Sequence, residues 1–134
     1  MLKKLTNEEI YFINGQLMKV FEESRQYLPA KVSFYIQKNK TKIFDLASEI
    51  ETARVQIIQR FGEQAEEGKY FIPQENIEFA QKELNDLLSI DQTVEIYPIS
   101  INDIENLNFT LPQMEALMFM IEEWKENIND TRTN

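Results

Sequence analysis

PAKVSFYIQKNKTKIFDLASEIETARVQIIQRFG, Pro29 to Gly62, is the stretch that decides the fold. Within it Val32, Ile36, Ile43, Leu46, Ile50, Ala53, Ile57 and Phe61 recur at near-heptad spacing, which gathers them on one face of a helix. Pro29 suits the first turn, where its missing N–H would have had no intrahelical partner, and Gly62 stands where the helix should end. The element spans about thirty residues, or about 45 Å at 1.5 Å per residue. The one polar step in the stripe is Asn39. An Asn at such a position sets register or pairing at some cost in stability, or else lies at the edge of the packed face.

Upstream, Thr6 and Glu9 have the spacing of a capping box, and Leu5 and Ile10 occupy the two positions of a hydrophobic staple. Ile10, Ile13, Leu17, Val20, Phe21 and Leu28 then recur at helical steps, so a first helix is expected to run to about Gln26. Gly15 lies off that stripe, as a close-packing position or a modest weakness. Leu28-Pro29 separates the two helices, because a residue before proline is steered out of the α region. A shorter helix followed by a long one most simply makes an antiparallel αα-hairpin over residues 1–62.

Downstream, Glu63 to Lys69 is charged and reads as an exposed loop. Tyr70-Phe71-Ile72 is a short β-prone run closed by Pro73, and Ile77, Ala80, Leu84, Leu87 and Leu88 mark a third amphipathic helix. Thr93 to Ile99 alternates as a strand, with Pro98 suggesting an edge, and the two short strands could pair into a small ribbon of either direction. Thr110 and Gln113 form a second capping box, Phe109 and Met114 a second staple, and Pro112 lies in the first turn of a last helix. Its stripe is Met114, Leu117, Met118, Ile121, Trp124 and Ile128, with Phe119 and Met120 off it, and the tail 127–134 is expected to fray. The fold class is therefore α+β and predominantly helical: a long antiparallel αα-hairpin, a small β-ribbon and two further helices, in a single domain spanning 1–134.

Composition narrows the chemistry. The 134 residues, 43% hydrophobic, suffice for one core. Neither cysteine nor histidine is present, which removes disulfides, thiolate nucleophiles, the commonest general base and the commonest transition-metal ligand. An enzyme is not expected, and no cofactor is implied, although an all-carboxylate Mg²⁺ or glycosidase-like site is not forbidden. No stretch reads as a signal peptide or as a membrane span, so the expected location is the cytoplasm of the cell and the expected partners exclude the membrane.

The net charge of −9 is unevenly spread: residues 1–62 carry ten Lys or Arg against seven Asp or Glu, and residues 63–134 carry four against sixteen, or +3 and −12. The acidic half argues against nucleic acid and for a basic protein partner. The Met-rich run and the acidic cluster beside it make Glu122, Glu123, Glu126, Met118, Met120, Phe119 and Trp124 the candidate protein-binding residues. A central core helix is the plainer reading of that apolar run, and a homodimer interface would satisfy both. Glu63, Glu66 and Glu67, with Glu63 and Glu67 on one helical face, read as solvated charge rather than as a metal site. Lys38, Lys40 and Lys42, with Arg54 and Arg60, are interrupted by Asp45, Glu49 and Glu51 and read as the outer face of a hairpin. Phe34, Tyr35, Tyr70, Phe71 and Tyr97 could stack on bases or pack.

The capped first helix, LPAKVSFYIQKNK (Leu28 to Lys40), ENIEFAQKELNDLLSI (Glu75 to Ile90), TVEIYPISINDIENL (Thr93 to Leu107) and LPQMEALMFMIEE (Leu111 to Glu123) together resemble a family of short phage and prophage proteins of uncharacterised function. The resemblance covers most of the chain, rests on texture and order rather than on a catalytic motif, and implies a viral origin and life inside a bacterial host. Two functions are then expected in competition. One is a protein-binding inhibitor that presents its acidic half to a host defence or nucleic-acid-handling machine. The other is a virion structural or assembly protein that works through oligomeric helical contacts.

Overall fold

A computed structural model describes residues 1–21 and 27–122. Strand β1 (Leu2–Thr6) runs into helix α1 (Asn7–Phe21) at the expected capping box. The Thr6 N–H donates to Glu9 Oε1 at 2.9 Å and the Glu9 N–H to Thr6 Oγ1 at 3.1 Å, which satisfies two of the amides that a helix start leaves unpaired. Leu5 and Ile10 are both buried, as the staple requires. The expected extension of this helix to Gln26 falls outside the described residues. Gly15 has no atom near the place where a Cβ would stand, so it is a weak point of the helix and not a packing contact.

Helix α2 (Ala30–Phe61) is the 32-residue axis of the molecule, and it packs along α1 as the expected hairpin. Its buried stripe is Val32, Ile36, Asn39, Ile43, Ala47, Ile50 and Ile57; Ala47 takes the deep position that Leu46 was expected to hold. Gly62 ends it in an extended conformation. A Cβ there would lie 2.6 Å from the Ile58 carbonyl oxygen and 3.1 Å from that of Phe71, so close backbone approach is what demands glycine. The Phe61 carbonyl is capped by Asn76 Nδ2 at 3.0 Å.

Beyond Gly62 the expected loop is partly a hairpin. Strand β2 (Glu63–Gln64) pairs antiparallel with β3 (Tyr70–Phe71), and the turn between them holds Glu67 and Gly68 in left-handed conformation, with φ of 63° and 74°. Helix α3 (Ile77–Leu88) follows and packs on α2, burying Ala80. Strand β4 (Asp91–Glu95) pairs antiparallel with β1, Leu2 opposite Glu95 and Thr6 opposite Asp91. The two strands expected to form one ribbon thus pair with other partners. Asn7 seals the α3–β4 turn: its Nδ2 donates to the Leu87 carbonyl at 2.8 Å, its Oδ1 accepts from Gln92 Nε2 at 2.7 Å, and its N–H donates to the Ile90 carbonyl at 2.9 Å.

A short helix α4 (Ile101–Ile104), absent from the sequence expectation, starts at a capping box of Ser100 and Asp103. The Ser100 N–H, its hydroxyl contact and Lys31 hold the Asp103 carboxyl below its ordinary pKa. Helix α5 (Leu111–Leu117) begins at the expected Thr110–Gln113 box, then tightens into a 3₁₀ turn over Met118–Met120 and ends in an extended Ile121. The last helix is therefore shorter than expected, and residues 123–128 of the expected stripe lie outside the described residues.

Asn39 is fully buried at the crossing of these elements. Its Oδ1 accepts from the Tyr97 N–H at 2.8 Å, and its Nδ2 donates to the Tyr97 carbonyl at 2.9 Å and touches Met120 Sδ at 3.3 Å. The side-chain amide thus occupies the place of a neighbouring strand's peptide. Two residues on, Ile99 makes the same exchange with backbone: its N–H donates to the Met120 carbonyl at 2.8 Å and its carbonyl accepts from the Glu122 N–H at 2.9 Å. Asn39 therefore sets register, one of the two roles its sequence position allowed. Asn39→Leu keeps the branched shape but orphans both Tyr97 groups and should destabilise the protein by about 2–5 kcal/mol in urea unfolding. Gln37→Leu, on the exposed side of the same helix, should change stability by less than about 0.5 kcal/mol.

Candidate functional site

Of the residues singled out near the carboxyl end, Met118 is 65% exposed and Glu122 is exposed, whereas Phe119 and Met120 are buried. Trp124, Glu123 and Glu126 lie outside the described residues. The inversion of Met118 and Met120 follows from the tightened turn: a 3₁₀ helix advances about 120° per residue against about 100° in an α-helix, so the stripe shifts phase. Met120 is spent on the core against Asn39, and Met118 is turned out.

Met118 faces a groove of ≈580 Å³ between β1, α1 and the α5 turn. Leu5, Ile13 and Phe119 are its buried lining; Phe12, 67% exposed, and Met118 are the apolar side chains a visitor would touch. Lys3, Glu8, Glu9, Gln16 and Glu115 complete the lining. Two of these charges are already engaged: Lys3 Nζ donates to the Phe119 carbonyl at 3.1 Å, which caps the 3₁₀ turn, and Glu9 serves the α1 cap. Glu8 and Glu115 have no ion-pair partner among the described residues. The groove is therefore apolar within and negatively charged at its rim.

A second surface gathers on the amino-terminal half of α2. Phe34, Tyr35 and Tyr97 form a cluster with ring centroids 5.4–6.5 Å apart, and Lys31 and Lys38 lie over Tyr35 and Phe34 at 5.8 and 5.5 Å. Tyr97 reaches this cluster because Asn39 holds its backbone there, a contact invisible in the sequence. The group is largely self-satisfied: the rings pack on one another, Lys31 pairs with Asp103 at 3.4 Å, and Lys42 Nζ donates to the Glu95 carbonyl at 2.8 Å. Tyr70 and Phe71 sit apart in the β2–β3 hairpin.

Among the described residues no three carboxylates converge as a metal site. Glu63 lies in β2 while Glu66 and Glu67 lie in the hairpin turn, so Glu63 and Glu67 do not share a helical face as their spacing suggested. Glu51, held below its ordinary carboxyl pKa by its hydrogen bonds from Arg54, is on α2 and does not line the groove. No helix among the described residues is long and apolar enough to cross a membrane. Comparison of the chain with protein-family models, curated proteins and solved structures finds no match.

The division between spent and available methionines is measurable. Met120→Ala should cost about 2–5 kcal/mol by opening a cavity in the core. Met118→Ala should cost less than about 0.5 kcal/mol, because its exposed side chain supports little of the fold.

Proposed function

We propose that the chain is a non-catalytic protein-binding module that seats an apolar anchor of a basic partner segment in the groove between β1, α1 and α5. The observation that carries this reading is that Phe12 and Met118 are both exposed in one groove whose unpaired rim charges among the described residues, Glu8 and Glu115, are both negative. Large exposed apolar side chains inside a polar rim are the pattern of a protein interaction site. Covering a Phe and a Met is worth about 1.5–3 kcal/mol each before the costs of association, which makes them anchors rather than bystanders. The carboxylates would select Lys or Arg beside the anchor and speed encounter.

The absence of histidine and cysteine from the sequence supports a binding role over a catalytic one. The charge of −12 on residues 63–134 and the resemblance to short phage proteins favour one form of this role, a phage-encoded inhibitor acting on a basic host machine inside the bacterium. Immobilised protein should capture a specific partner from host extract. Met118→Lys and Phe12→Lys should each weaken that capture about tenfold to a hundredfold, Glu115→Lys and added salt should weaken it less, and all three variants should remain folded. Capture that is indifferent to Met118→Lys and Phe12→Lys would sink the proposal.

A further inference from the structure

The two edges of the β1–β4 ribbon are not equivalent. Met1 and Ile96 exchange both backbone hydrogen bonds, the Met1 amine donating to the Ile96 carbonyl at 3.0 Å and the Ile96 N–H to the Met1 carbonyl at 2.8 Å. In an antiparallel ladder such pairs recur at every second residue, so Lys3 with Val94 and Leu5 with Gln92 also face inward. Asp91, Thr93, Glu95, Tyr97 and Ile99 then face outward from β4 and its continuation, and that edge is covered from its end onward: Lys42 takes the Glu95 carbonyl, Asn39 both Tyr97 groups and the Met120–Glu122 backbone those of Ile99. The outward groups of β1 are those of Leu2, Lys4 and Thr6. Glu9 takes the Thr6 N–H; the N–H and carbonyl of Leu2 and Lys4 have no partner among the described residues, and the Leu2 side chain is 70% exposed.

This open edge borders the groove. Lys3 and Leu5 of β1 line the groove while no residue of β4 does, so the groove adjoins β1, on the face of the ribbon that carries Lys3 and Leu5. We infer that the partner segment binds as an extended strand, adding to β1 through the outward N–H and carbonyl groups of Leu2 and Lys4. Its inward side chains, every second residue, enter the groove against Phe12 and Met118, and a Lys or Arg among them meets Glu8 or Glu115. Charge also argues that the strand is foreign. Antiparallel pairing of β1 with a second copy of itself centred on Lys4 would set Lys4 against Lys4, a destabilising pair of like charges. The inference rests on the proposed groove and adds to it the backbone conformation of the ligand.

The probe is a synthetic peptide in which every second residue is Val or Lys in turn and the residues between are Thr, so that one face carries both apolar and basic side chains; a second version is N-methylated on the residues whose N–H groups would face β1. Methylation keeps the side chains and charge but removes the ladder. The unmethylated peptide should shift the NMR signals of Leu2, Lys4, Phe12 and Met118 and slow exchange of the Lys4 amide; the methylated one should bind about tenfold more weakly or worse. Lys4→Pro, which removes an amide that makes no intramolecular bond, should have the same effect if its thermal unfolding stays native. Loss of binding by both methylation and Met118→Lys supports strand addition and groove together. Loss by Met118→Lys alone overturns strand addition and leaves the groove standing. Loss by methylation alone supports strand addition and removes the groove. No binding at millimolar peptide, or a native dimer that Lys4→Pro dissolves, overturns the inference.

Discussion

The join between the helical hairpin and the chain that follows β4 depends on one buried amide. Asn39 sits in the middle of the apolar stripe of α2, where a leucine would be the ordinary choice, and gives both of its hydrogen-bonding ends to the backbone of Tyr97. A polar side chain without those partners would be costly to bury; with them it fixes position as no apolar contact does, because a shift of one residue along either element breaks both bonds. Everything after β4 is placed by that contact. The strand continuation is held against α2, Ile99 then takes Met120 and Glu122 as backbone neighbours, and the turn before them carries Met118 and Glu115 to the edge of α1.

The same contact closes the far end of the ribbon on one side only. α2 reaches the end of β4 and its continuation, where Lys42 takes the Glu95 carbonyl and Asn39 the Tyr97 backbone, two residues three apart on one helical face. β1 lies on the opposite side of β4, out of α2's reach, and its edge is left with two lysines and an exposed leucine. Charged residues on a strand edge are a usual guard against indiscriminate pairing. Here one of those lysines, Lys3, is withdrawn to cap Phe119, which leaves the groove beside the edge negatively charged. A basic extended segment is the ligand to which this asymmetry is complementary.

What could be read from the sequence was what is local. The capping boxes at Thr6 and Thr110 act across three residues, and the α2 stripe repeats often enough to declare its period, so these elements stand where expected. β1 escaped because Leu-Lys-Lys-Leu-Thr does not alternate; its strand character comes from β4, far along the chain. The β2–β3 hairpin escaped because Glu63 and Gln64 carry no apolar signal, and α4 because it is a single turn. Met118 is placed on the buried stripe by an α-helical period where the chain tightens to 3₁₀ and turns it out, whereas the burial of Phe119 and Met120 agrees with the plainer reading of that run as core. The groove inherits two of these, β1 and the tightened turn. Met118 was among the residues singled out, but Phe12, Glu8 and Glu115 become a site only once β1 and the tightened turn are in place.

Amide hydrogen exchange at Tyr97, measured on the native protein and on Asn39→Ala, tests the account most directly. If Asn39 is the clamp, the Tyr97 amide of the native protein exchanges only when the whole molecule unfolds, and in Asn39→Ala it exchanges through local opening while Val94 and Ile10 stay protected. A Tyr97 amide that exchanges freely in the native protein, or one whose protection Asn39→Ala leaves unchanged relative to Val94 and Ile10, would contradict it.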